Sequence, residues 1–149
     1  MQRDNLLGQT MIKLKNEQAS MGDWFKLPMN VRFANEPGQD MGGVRREYFS
    51  LLLKEIFTEA FGMFRYNDDI RLFWINGHPD FFDSVTVERK EQLLSYFELF
   101  GNIVGLAIYH ETLIDFPLPF FFFKLKFQGI EAITIHDYAS WQPETAKSL

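Results

Sequence analysis

The sequence has 149 residues, of which 46% are hydrophobic and 23% are charged, and its formal net charge is −5. This composition disfavours disorder, and the acidic balance disfavours a nucleic-acid binder, which normally carries a basic surface. Cysteine is absent, which excludes disulfides, thiolate metal sites and a cysteine nucleophile within these residues.

The first predicted element is a helix over residues 3–16. Its apolar residues recur at helical spacing and form one face, made of Leu7, Met11 and Leu14. Polar residues 16–22 are expected to end this helix. A strand over residues 26–33 follows, because apolar side chains occupy every second position there and would share one buried face. Turn-forming residues fill positions 34–43.

The central third is predicted to hold a long helix and a hairpin. Residues 44–61 contain neither Gly nor Pro and are apolar on most of the helical circumference, which is typical of a central helix. Gly62 stands where a helix C-cap is expected. Residues 63–66 and 71–75 are predicted to pair around a polar turn, and residues 76–80 are predicted to form a loop.

Two more helices are predicted over residues 88–109 and 119–127, and residues 141–149 resemble the start of another. The apolar run 93–109 approaches the roughly 20 residues that a membrane span requires, but Glu98 lies inside it. We therefore expect a buried helix of a soluble protein. Together the elements predict an α+β fold, mostly helical with short antiparallel strands, and its long apolar helices indicate a part of a larger fold.

Known catalytic and metal-binding patterns are absent from the sequence. The three histidines, His78, His110 and His136, are widely spaced, and no zincin, nucleophile-elbow, P-loop or dinucleotide motif occurs. The sequence therefore predicts no catalytic residue, no metal and no cofactor. Asp68 and Asp69 are adjacent in a predicted turn and are expected to be solvated.

The segment Gly42–Glu47 is the most informative local pattern. A double glycine ahead of a helix permits positive φ or close approach of another chain, and the N–H groups of the first helical turn could bind an anion beside the two arginines. The alternative is a tight loop-to-helix junction, with Asp40, Arg45 and Glu47 paired inside the protein or with a neighbouring segment. We favour the junction, because Glu36 and Asp40 would compete with an incoming anion.

Gly101 and Gly105 lie about one turn apart in the predicted helix 88–109. Without side chains, they allow another element to approach closely. Each glycine costs about 1 kcal/mol of helix propensity relative to alanine. The pair therefore predicts a tightly packed partner for this face.

In combination, these segments resemble the HECT domain of ubiquitin-protein ligases. Residues 31–49 are similar to the family pattern of a strand, then Glu-x-Gly-x-Asp-x-Gly-Gly, then an Arg/Lys-Glu-aromatic-Phe helix. The structural motif residues that carry the resemblance are Glu36, Gly38, Asp40, Gly42, Gly43, Arg45 and Glu47, with Gly101 and Gly105 in the later helix. Other similar segments follow in the family's order, at 62–64, 72–76, 96–109 and 113–117. Gly-Gly-Val-Arg-Arg-Glu together with Leu-Phe-Trp-Ile-Asn is most similar to the HERC branch.

The resemblance implies a two-lobed enzyme. A cysteine in the C-terminal lobe accepts ubiquitin from a conjugating enzyme as a thioester and passes it to a substrate lysine. Residues 1–149 would form the first part of the N-terminal lobe, without the conjugating-enzyme-docking subdomain or the catalytic C-terminal lobe. The chain itself is then expected to be non-catalytic, as a fragment, a truncated isoform or a degenerate copy. The alternative is a non-catalytic module that binds ubiquitin or a ligase.

The resemblance also implies partners. Some family members hold ubiquitin non-covalently on the N-terminal lobe, and by position that surface would fall on Leu7, Met11 and Phe61. The alternative is that these three side chains pack in the core. The remainder of a HECT domain or a full-length ligase is a second expected partner, and a conjugating enzyme is a third only in a longer chain. We expect no nucleic-acid or membrane partner, and a location in the cytoplasm or nucleus.

Overall fold

A computed structural model of the protein describes residues 1–20, 23–36, 42–77 and 79–148. The α-helices are α1 (Leu6–Ser20), α2 (Gly43–Ile56), α3 (Pro79–Ser84), α4 (Val87–Tyr109), α5 (Phe120–Gln128), α6 (Ile135–Trp141) and α7 (Pro143–Ala146). The strands β1 (Phe64–Asn67) and β2 (Leu72–Ile75) pair antiparallel, and 3-10 turns occupy Trp24–Lys26, Glu59–Phe61 and Ile130–Ala132. The predicted α+β class, mostly helical with short antiparallel strands, is confirmed.

One apolar core joins α1, α2, the hairpin and α4. Its most deeply buried side chains come from these elements and the turn before β1: Leu6, Phe49, Leu52, Ile56, Met63, Phe64, Leu93 and Ile103. Phe57 lies at the centre of a ring cluster, with its centroid 4.5 Å from Phe64, 5.2 Å from Phe73 and 5.8 Å from Phe100. Each such ring pair adds about 0.5–1.5 kcal/mol beyond area burial, so the cluster fixes the hairpin between α2 and α4.

Two of the predicted helices have shifted ends. The first begins at Leu6 and runs to Ser20, so the polar residues after position 16 continue α1 instead of ending it. The helix predicted over 44–61 ends at Ile56, and a separate 3-10 turn follows it. Gly62 caps that turn with φ of +71°, and its N–H donates to the Glu59 carbonyl at 2.9 Å.

The hairpin and α4 match their predictions closely. Phe64 pairs with Ile75 and Asn67 with Leu72. The Asn67 side-chain oxygen accepts the N–H of Asp69 at 3.0 Å, which closes the polar turn. α4 begins after the N-cap Thr86, whose hydroxyl accepts the Arg89 N–H at 3.3 Å.

Two short helices, α3 and α6, were not predicted. α3 begins inside the loop predicted over 76–80, and His78 lies outside the described residues. α5 confirms the helix predicted over 119–127 with a shift of one residue, and α7 lies in the segment expected to start another helix.

No strand forms among the described residues of segment 26–33, contrary to the prediction. Val31 and Phe33 are buried, as the alternation predicted, but Leu27 is 43% exposed. The segment hydrogen-bonds to the start of the chain, where the Ala34 N–H donates to the Met1 carbonyl at 2.7 Å. The alternating apolar pattern therefore correctly indicated that part of one face is buried, but not that the segment forms a sheet.

Of the helices that the structure describes, none combines the length and apolarity needed to cross a bilayer. The helix over the apolar run is buried on one face only. α4 buries Leu99, Ile103 and Ala107, whereas Leu94 and Ile108 are 65% and 63% exposed.

Candidate functional site

Arg3 joins the two ends of the motif segment. Its guanidinium makes a bidentate ion pair with Glu36 at 2.6 and 2.9 Å, and a further contact with Glu47 of α2 at 2.8 Å. The same group lies 4.1 Å above the centre of the Phe33 ring, within cation–π range. The hydrogen bonds from Arg3 lower the pKa of Glu36, and the two carboxylates raise the pKa of Arg3.

Arg3 was missed in the sequence because its partners are 33 and 44 residues away. No local spacing connects it with them. The expected internal pairing of Glu47 is confirmed, but its observed partner is Arg3. Gly38 and Asp40 lie outside the described residues.

Of the two adjacent glycines, Gly42 is the one whose backbone conformation requires glycine. Its φ of +95° places it in the left-handed region just before α2, where side chains are strained. Gly43 is already the first residue of the helix. The Arg45 guanidinium donates to the His110 carbonyl at 3.5 Å, in a part-buried position. Arg45 therefore joins α2 to the end of α4, which favours the structural junction over an anion site.

His110 is the α4 end of this junction, because its carbonyl accepts the hydrogen bond from Arg45. Burial lowers the pKa of the His110 imidazole, and the nearby Arg45 charge lowers it further. Its Nε2 is buried and has no hydrogen-bond partner among the described residues.

A buried hydroxyl pair ties α1 to α2. Thr10, which is 2% exposed, lies 2.8 Å from the Tyr48 hydroxyl and donates to the Leu6 carbonyl at 2.8 Å. Burial raises the pKa of Tyr48 to about 12. The pair satisfies polar atoms that would otherwise be costly to bury.

The three residues of the predicted ubiquitin surface occupy different environments. Leu7 belongs to the core and is 3% exposed, so its side chain offers almost no surface. Met11 and Phe61 are partly buried at the edge of the core. Met11 lines a small cavity with Ser95 and Asn102 of α4. The Phe61 ring meets the ring of Tyr96 edge-on at 5.2 Å, so both side chains approach the same stretch of α4.

Gly101 and Gly105 face solvent instead of a packed element. Apart from adjacent residues and the backbone of α4, no described atom lies within 4 Å of where a Cβ would stand at either position. Their expected packing partner is therefore not found in the described part of the chain. The exposed Leu94 and Ile108 lie on the same side of the helix.

The positions of the His, Asp and Glu side chains in the described residues also bear on a metal site. Within the described ranges, no group of three or more His, Asp or Glu side chains could hold a metal ion. What the described residues of this region form is a set of hydrogen bonds and ion pairs that join the start of the chain to α2, and α2 to the end of α4.

Comparison with known proteins supplies the family. A family model described as HECT-domain (ubiquitin-transferase) matches residues 50–149. The human protein named probable E3 ubiquitin-protein ligase HERC4 is 32% identical over 147 residues, which is 99% of this chain and 12% of that protein. HUL4 of Eremothecium gossypii, with a similar name, is 30% identical over 147 residues, covering 99% of this chain and 17% of that protein. Rat E3 ubiquitin-protein ligase NEDD4 is 35% identical over 129 residues, which is 85% of this chain and 14% of that protein. The chain spans less than a fifth of the length of these relatives.

Proposed function

Because the chain belongs to the HECT-domain family of ubiquitin transferases, we propose that it serves as the first part of the N-terminal lobe of a ligase of this type. The single observation that supports this role is the continuous core. α1, the motif helix α2, the hairpin and α4 share it, so segments with family resemblance pack around one core. The 149 residues contain no cysteine, so the thioester would form on a cysteine outside them.

A chimera tests this role. The chain would replace the 147 aligned residues of human HERC4, and the purified chimera would be incubated with ubiquitin, activating enzyme and conjugating enzyme. We expect a ubiquitin adduct that reducing agent removes. The matched control is the same chimera with Phe49→Ala, which should lose the adduct because Phe49 is fully buried. A folded chimera that never forms the adduct would contradict the proposal.

A second proposal concerns ubiquitin itself, and it is also the alternative function, a non-catalytic binding module. Met11 and Phe61 border the stretch of α4 between residues 95 and 102, whose Glu98 is exposed. A partly apolar surface with a polar rim is typical of weak protein interfaces. We propose that ubiquitin docks there, with Met11 and Phe61 as the apolar contacts. Leu7 would support the surface from the core.

A titration of labelled ubiquitin with the chain tests this surface. We expect Met11→Ala and Phe61→Ala each to weaken binding about tenfold, the cost of an interface residue worth about 1–2 kcal/mol. Ile12→Ala is the matched control, because Ile12 is next to Met11 in sequence yet 65% exposed on another side of α1. Equal affinity of all three variants would exclude this surface.

A further inference from the structure

A groove of about 460 Å³ lies between the C-terminal half of α2, strand β2 and the linker that joins α4 to α5. Its volume is in the range of ligand pockets, roughly 300–1,000 Å³. Five apolar residues form its walls: Leu53, Phe57, Phe73, Phe116 and Pro117. Because three of the five are phenylalanines, the walls present aromatic rings to an incoming side chain.

Contacts within the fold hold these walls in place. The Phe57 ring is buried and lies 5.2 Å from the Phe73 ring. The Phe73 N–H donates to the Pro117 carbonyl at 2.7 Å, which fixes the linker beside β2. The Phe116 ring meets the Phe123 ring edge-on at 5.7 Å. The groove is therefore formed before a ligand binds, which lowers the entropic cost of binding.

Three polar side chains border the same groove: Ser50, Lys54 and Asp115. Ser50 and Lys54 are one helical turn apart on α2, and Asp115 belongs to the linker, so the two charges approach the groove from different elements. Both charged side chains are exposed. None of the three side chains has a hydrogen-bond or ion-pair partner among the described residues. The groove therefore offers one cation and one anion to a ligand.

We propose that this groove binds an extended segment of a partner protein in which one aromatic residue stands between an acidic and a basic residue. The aromatic side chain packs among the phenylalanine rings, where edge-to-face contacts are favourable. The acidic residue accepts hydrogen bonds from the Lys54 ammonium and the Ser50 hydroxyl, and the basic residue pairs with Asp115. A segment with two like charges places one of them beside a like charge of the groove, so the charge pattern sets specificity.

The two charges favour this ligand over other occupants. A purely apolar ligand would leave both charges without a partner, and a small anion or cation would meet one charge of its own sign. Residues on either side of an aromatic residue can reach both walls of the groove. A second copy of the chain is disfavoured, because each copy has a formal net charge of −5 and the copies repel each other.

Titration of the ¹⁵N-labelled chain with peptides whose ends are blocked tests the proposal. The peptides are Ser-Glu-Phe-Lys-Ser and Ser-Lys-Phe-Glu-Ser, because the two charges do not set the direction of the peptide chain. We expect at least one of them to bind saturably and to move the amide resonances of Ser50, Phe73 and Phe116. Replacing its Phe by Ser should weaken binding at least tenfold, because the aromatic contact is lost.

Charge variants show whether the two exposed charges make the expected pairs. Lys54→Gln should weaken binding about threefold, which is typical of an exposed ion pair, and should have no effect when the peptide Glu is replaced by Gln. Asp115→Asn should act in the same way on the peptide Lys. The matched controls Lys126→Gln and Asp68→Asn remove the same charges from exposed positions outside the groove and should bind as the parent does.

Several outcomes would overturn the proposal. They are saturation by neither peptide, resonances that move away from the groove, and peptide and protein substitutions whose effects simply add. Groove resonances that move with chain concentration alone would assign the groove to a second copy. Loss of peptide binding in the HERC4 chimera would mean that other residues of the ligase fill the groove. Because neither Met11 nor Phe61 lines the groove, the result is independent of the ubiquitin surface and of ubiquitin transfer.

Discussion

α2 and α5 are both rich in apolar residues, yet they are buried to very different extents. α2 buries five side chains: Tyr48, Phe49, Leu52, Leu53 and Ile56. α5 has the sequence FFFFKLKFQ but buries only Phe121, and its Phe120 and Phe127 are 80% and 72% exposed. The difference lies in the neighbours, because α2 lies within the core shared with α1, the hairpin and α4, whereas α5 meets the edge of that core through Phe122 and Phe123 and packs Phe121 on Trp74. An apolar pattern predicts that a helix forms, but a second layer decides whether it is buried.

The hydrogen bonds and ion pairs also differ between the core region around α2 and the C-terminal region of α5, α6 and α7. In the core region, the Glu55 carboxylate of α2 accepts the N–H groups of Leu6 and Leu7 at 3.3 and 2.9 Å, across 48 residues or more. In the C-terminal region, Asp137 bonds to Thr134 three residues away and to Lys124 thirteen residues away. Within the described chain, α6 and α7 have no buried residue. Capping bonds, the Lys124 ion pair and the contact of the Trp141 ring with Trp74 at 5.5 Å therefore hold this region in place of a buried core.

The largest expected effect comes from one substitution made in both regions. Phe49→Ala should lower the free energy of unfolding by about 3–5 kcal/mol, because it empties a fully buried site. Phe120→Ala should change it by less than about 0.5 kcal/mol, because its ring is 80% exposed. Urea titrations of both variants measure the contrast. Similar losses would mean that Phe120 is covered in solution, and the comparison between α2 and α5 would fail.

A smaller effect is expected at the cap of α1. Glu55→Ala should cost about 1 kcal/mol, the usual value of an N-terminal cap, because two helix N–H groups lose their acceptor. The matched control is Glu59→Ala, since Glu59 lies just after α2 and is exposed. Thermal unfolding of both variants checks the prediction. If the two variants melt together, the tie from α2 does not stabilise α1.

Features set by local chemistry could be predicted from the sequence, and those set by distant partners could not. The hairpin turn at Asn67 and the start of α4 at Thr86 each depend on residues two or three positions apart. The strand predicted over 26–33 is wrong because a strand needs a neighbouring strand, and among the described residues the two strands pair with each other and not with this segment. The clamp of Arg3 on Glu36 and Glu47 depends on the folded path of the chain. Gly101 and Gly105 indicated close packing, yet nothing in the described chain covers them.

The smallest expected effect is a difference in the pH dependence of α6 and α2. Hydrogen bonds from Lys124 and Thr134 lower the pKa of Asp137 to about 2, from 3.8 for an unperturbed carboxyl. A carboxyl whose pKa is lower in the folded state stabilises it fully above the unfolded value, so this contribution is lost as the pH falls from about 4 towards 2. Since α6 buries no residue, its helical ¹³Cα shifts should decline over that range while those of α2 persist. Asp137→Asn should show the declined α6 shifts already at pH 6. If α6 and α2 instead lose their helical shifts together, the two regions unfold as one cooperative unit, and the caps of α6 do not act as the separate local support inferred for them.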